Sequence, residues 1–145
     1  MSKLTAKQNI QAIVAAIKVE EQQLRARYPV LQKQNGIALG ILFLSLSALV
    51  GVALLYYYAF IPAWLCIILA AFITSISHEL EHDLIHKQYF SKQPLIHNFM
   101  MLTVWLMRPN TVNPWYRRKI HLHHHKVSGT EQDLEERLVG NGIKN

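Results

Sequence analysis

Apolar residues recur at helical spacing near the start of the chain, at Ile10, Ile13, Val14 and Ile17, and predict an amphipathic helix from Thr5 to about Arg27. "TAKQ" is a Thr-x-x-Gln capping box for its first turn, and Tyr28-Pro29 ends it. The alternation then disappears. From Ile37 to Ser77, a run of about 40 residues, there is no Asp, Glu, Lys, Arg or His. A helix of a soluble domain needs a solvated face, whereas lipid penalises each charge, so this block predicts membrane-spanning helices. "GIALGILFLSLSALVGVALLYYYAF" supplies a first span of roughly 22 residues, about 33 Å of helix, with Tyr56, Tyr57 and Tyr58 at an aromatic belt.

Pro62 breaks the run after a short loop, and Ala63 to Ser77 begins a helix that returns across the bilayer. Its apolar part covers only about 22 Å, so the helix is expected to continue through "HELEHDLIH" before it emerges. A third apolar stretch, "PLIHNFMMLTVWLM", is short for a span and reads as an interfacial or re-entrant helix, with His97 an ordinary packed or interfacial histidine. "RPNTVNP" is a loop leading into "WYRRKIHLHHHKVSGTEQDLEERLVG". The predicted fold is an all-α membrane protein: a transmembrane helical hairpin with histidine-bearing cytoplasmic helices. Its segments are an amphipathic N-terminal helix (1–36), the hairpin ending in a first histidine cluster (37–90), and an interfacial helix with a second cluster (91–145).

Charge refines this picture. The net charge of +6 comes from residues flanking the apolar block, and no basic patch interleaved with aromatics is present, so nucleic acid is not the expected partner. Lys and Arg are in excess on both sides of the hairpin and absent from its loop, which predicts a multi-pass protein with its N-terminus and histidine clusters in the cytoplasm. The single cysteine, Cys66, lies in the apolar block and reads as a buried structural thiol. No secretory signal peptide is seen in the polar first 30 residues.

Histidines carry the candidate chemistry. Residues four apart share a helix face, so His78 and His82 can reach one metal ion, and His86 follows one turn later as an additional candidate. In "HLHHH", His121, His124 and His125 share a face while His123 points away. Five imidazoles exceed the needs of one catalytic zinc and argue for two ions. Nitrogen donors alone leave iron, zinc, copper and nickel open. "HELEH" is also an H-E-x-x-H string, with Glu79 where a zinc protease has its general base, but that reading leaves the second cluster unexplained.

The two clusters, with Arg117-Arg118 before the second and "TEQDLEE" after it, resemble the membrane fatty acid desaturases and related hydroxylases over roughly residues 37 to 137. The resemblance implies a non-haem centre of two iron ions held by His78, His82, His121, His124 and His125, with His86 as an extra candidate. It implies Glu79, Asp83 and Asp133 as acceptors that orient the imidazoles, and Arg117 and Arg118 as juxtamembrane anchors or contacts for an acidic electron donor. It further implies a lipid acyl chain as substrate, desaturated with O2 and electrons from a redox donor such as a ferredoxin or b-type cytochrome system. A hydroxylase of lipids, alkanes or carotenoids is the alternative within the family; a membrane zinc protease or a non-catalytic metal-binding protein lies outside it. The family's third histidine box is not found before "GNGIKN", so the chain reads as a fragment without desaturase activity of its own.

Overall fold

The computed structural model describes residues 5–109 and 111–135. The ends of the first and third predicted segments, and position 110 of the "RPNTVNP" loop, lie outside the described residues. The order is α1 (Ala6–Arg27), a 3-10 turn (Pro29–Gln32), α2 (Gln34–Tyr57), α3 (Ala63–Ile85), α4 (Pro94–Leu106) and α5 (Pro114–Val127), with no strand among the described residues. Two units are distinguished, one ending at Gly36 and one beginning at Ile37.

In the first unit α1 starts at the capping box: the Thr5 hydroxyl accepts from the Gln8 amide, and the Gln8 side chain accepts from the Thr5 N–H. The predicted apolar stripe is present, and Ile10, Ile13, Val14 and Ile17 are all exposed. Arg25 closes the end of the unit, pairing with Glu21 one turn back and donating to the Leu31 carbonyl.

In the second unit α2 and α3 are both long and apolar enough to cross a membrane, and α4 is a shorter apolar helix. The turn between α2 and α3 begins with a Schellman cap: Phe60 N–H reaches Leu55 O, Ala59 N–H reaches Tyr56 O, and Ala59 takes the left-handed conformation at φ 60°. Pro62 then leads into α3. Ala38 and Leu42 near the start of α2 share one core with Leu80 and Leu84 near the end of α3, as antiparallel neighbours joined by a short turn must. Met100, Met101 and Val104 of α4, with Met107, complete that core.

The second of these helices, α3, continues into the histidine cluster, as its short apolar part requires. Its end is a second Schellman cap: Gln88 N–H reaches Asp83 O, Lys87 N–H reaches Leu84 O, and Lys87 is left-handed at φ 57°. His86 is therefore the C-cap residue. After α4, Asn113 caps α5 by accepting from the Trp115 and Tyr116 amides, with Pro114 in the first turn. The Trp115 indole N–H donates to Asn98, tying α5 to α4. Cys66 is only half-buried on α3, which corrects the expectation of a fully buried thiol.

Candidate metal centre

The packed face of α3 runs through Ile73, Ser77, Leu80, Glu81, Leu84 and Ile85. His78, His82 and His86 lie beside that face on successive turns, so α3 presents imidazoles along the seam where α5 packs. On α5, Ile120 and His121 are the buried positions after Pro114, which turns His121 towards α3.

His82, His86 and His121 form a group whose ligand atoms all lie within 4.8 Å of one another. The Nε2 atoms of His86, His121 and His125 form a nearly equilateral triangle: 3.1 Å from His86 to His121, 3.1 Å from His121 to His125 and 3.3 Å from His125 to His86. The His82 ring stands edge-on to the rings of His86 and His121, with centroids 4.8 Å from each.

Two imidazoles on one ion, with bonds of about 2.0–2.1 Å and angles between octahedral and tetrahedral, hold their nitrogens about 2.9–3.4 Å apart. All three sides of the triangle fall in this range, so the donor set fits a single ion seated on its face.

Carboxylates set the ring tautomers. Glu135 lies 2.9 Å from His121 Nδ1, and Asp133, fully buried, lies 2.7 Å from His124 Nδ1. A carboxylate accepts the Nδ1–H and leaves Nε2 with a bare lone pair, the arrangement that metal-ligating histidines commonly adopt. His86 is held below its ordinary pKa, first by burial and then by the neighbouring His82, His121 and His125, which favours the neutral, ligating form.

Not every residue singled out in the sequence converges here. His78 lies outside the group, with its Nδ1 3.5 Å from Arg117 Nη1, and His86 occupies the place that the motif gave to it. His124 contacts Asp133, while His123 is exposed as its helical phase predicted. Of the proposed orienting acids, Asp133 meets a histidine. Asp83 instead accepts from the Tyr89 hydroxyl at 2.7 Å, and the Tyr89 pKa is pushed up to about 12 by burial and then by that bond. Glu79 is exposed, because it lies on the side of α3 opposite the packed face.

Two acids escaped the sequence reading. Glu135 belongs to the acidic run after the second cluster, but only the turn that brings it back to His121 reveals its role. Glu81 is fully buried, ion-paired to Arg108 through Oε2 and 3.3 Å from Arg117 through Oε1. The period of Ile73, Ser77, Leu80 and Leu84 extends onto Glu81 and was the signal that could have found it. Arg117 and Arg118 turn inward rather than to lipid phosphate, because the buried carboxylate and the end of α3 offer them acceptors.

His97 is packed, as expected. Its Nδ1 lies 2.9 Å from the Tyr89 carbonyl and its Nε2 2.5 Å from Arg118. Burial, with Arg118 and Lys87 nearby, lowers its pKa below 6.5 despite the opposing bond to Tyr89. The unfolded chain therefore binds the proton first on acidification, and this contribution to stability, complete above about pH 6.5, falls as pH drops towards the folded value. Melting in detergent is expected to weaken between about pH 7.5 and about pH 5.5, and His97→Gln to flatten that slope. An unchanged slope in the variant would assign the pH dependence to other groups.

No curated protein and no solved structure matches the chain. The fatty acid desaturase family model matches residues 58–144, more than half of the chain, and covers both histidine clusters. With the seam of imidazoles and carboxylates between two apolar-flanked helices, this match shows that the chain belongs to the fatty acid desaturase family.

Proposed function

We propose that the chain carries part of a membrane di-iron centre that desaturates a lipid acyl chain, and that His82, His86, His121 and His125 provide its metal-facing edge. The observation that carries this reading is the Nε2 triangle of His86, His121 and His125, with Glu135 behind His121. His124, oriented by Asp133, serves the second ion, and His78 joins the set only by leaving Arg117.

When bound, iron supplies the oxidising power that side chains lack, for the net reaction in which –CH2–CH2– plus O2, two electrons and two protons gives –CH=CH– plus two waters. The residues orient it. Glu135 holds His121 in one tautomer, and the hydrophobic core around Leu80, Leu84 and Met100 keeps water from the inner side of the histidines.

A groove of about 340 Å³ between α2 and α3, lined by Ile41, Leu44, Ala48, Phe72, Ile73 and Ile76, supports an acyl substrate. Ile76 precedes His82 by about 9 Å of helix rise, so a chain partitioned in the bilayer lies within reach of the metal-facing edge. By the charge rule both ends and the histidines face the cytoplasm, where a ferredoxin or b-type cytochrome delivers the electrons.

The zinc protease reading loses its geometry, since His78 stands apart from the group that holds His82 and Glu79 is exposed. The test is lipid mass spectrometry on cells that express this chain with any coding sequence continuing in frame after it. The acyl product is expected to lose two hydrogens; gain of one oxygen would mean a hydroxylase. Unchanged lipids from an iron-loaded protein would sink the oxidation reading.

A further inference from the structure

Arg118 lies one turn before His121 and two before His125 on α5. Its Nη2 donates to the Leu84 carbonyl at 2.7 Å and its Nε to the Ile85 carbonyl at 3.0 Å. These carbonyls belong to the last turn of α3, between His82 and His86. The same Nη2 lies 2.5 Å from His97 Nε2 and 3.0 Å from Met101 Sδ on α4.

The roles in this network are fixed by chemistry. The Tyr89 carbonyl can only accept, so His97 donates from Nδ1 and its Nε2 is left to accept from Arg118. One guanidinium thus joins the end of α3, the body of α4 and the start of the second cluster, and its planar fork dictates the angle as well as the distance between them.

We propose that Arg118 is a positioning residue that sets the register between the two histidine-bearing helices, so that His86 meets His121 and His125 before metal arrives. The inference rests on the reading of those histidines as metal ligands. A slip of α5 by one residue along α3 would shift His121 by about 1.5 Å, enough to open a triangle whose sides are near 3 Å. Lys keeps the charge but lacks the fork, so the geometry, rather than the charge alone, is what Arg118 contributes.

The experiment is a Co(II) titration, followed by its visible absorption, of the purified chain in lipid nanodiscs: unmutated, Arg118→Lys, Arg118→Gln and His97→Gln. Circular dichroism records helicity in parallel. Arg118→Gln is expected to bind Co(II) about 10- to 100-fold more weakly with helicity retained, Arg118→Lys to recover little of that loss, and His97→Gln to fall between. Should Arg118→Gln fail to fold, Arg118→Lys carries the same test. Folded variants that bind Co(II) as tightly as the unmutated chain, with the same spectrum, would overturn the inference and leave Arg118 a plain structural tether. Absence of Co(II) binding in the unmutated chain would instead overturn the ligand reading itself.

Discussion

Replacing His121 by Ala is expected to weaken Co(II) or Fe(II) binding by more than about a hundredfold, since even outer partners of a ligand are worth about 10- to 100-fold. Three observations converge on this residue. It belongs to the group that includes His82 and His86, its Nε2 is 3.1 Å from those of both His86 and His125, and its Nδ1 is engaged by Glu135. Glu135→Gln removes the acceptor charge but leaves a ligand, so its loss falls in the outer-partner range. His123→Ala, on the exposed side of α5, is expected to bind as the unmutated chain does. Metal titration with a competing chelator reads all three. Equal affinity of the His121 and His123 variants would place the metal elsewhere.

Glu81→Ala is expected to destabilise the helical hairpin by about 3–5 kcal/mol, because it strands the guanidiniums of Arg108 and Arg117 around a site from which their carboxylate has gone. Glu81 itself has no exposed surface, so water cannot replace the lost partner without opening the packing between α3 and α5. Removing all the charge at once tests the cause: Glu81→Leu with Arg108→Met and Arg117→Met is expected to recover most of the stability. Denaturant unfolding in detergent measures both. A single variant that costs nothing, or a triple variant as unstable as the single one, would contradict the account of this ion group.

The features legible in the sequence were those carried by local pattern. The absence of charge from Ile37 to Ser77 announced two apolar helices. The length of the second required it to run on into "HELEHDLIH", where it ends at Ile85. The capping box at Thr5 was readable because its partners lie within one turn. The phase of "HLHHH" put His121 and His125 on one face and His123 on the other, and the structure keeps that division.

What escaped depends on contacts between helices. Spacing within α3 treats His78–His82 and His82–His86 as equivalent pairs, and only the position of α5 brings His82 and His86 against His121. Likewise Glu79 and Glu81 are both acids of "HELEH", yet the rotation of about 200° between them puts one in solvent and the other in the packed seam. Arg118 looked like a membrane anchor because flanking arginines usually are. Its inward turn follows from the Leu84 and Ile85 carbonyls, which the end of α3 offers as acceptors and a linear reading does not reveal.

The most direct measurement is iron X-ray absorption on the purified chain, loaded with Fe(II) without oxygen and washed with a weak chelator. The account predicts at least one retained iron per chain, surrounded by nitrogen or oxygen neighbours at about 2.1 Å with the outer scattering of several imidazoles, and a loss of that imidazole signal in His86→Ala with His125→Ala. Iron that washes away, or a retained ion without imidazole scattering, would contradict the claim that the histidines of α3 and α5 form a metal centre.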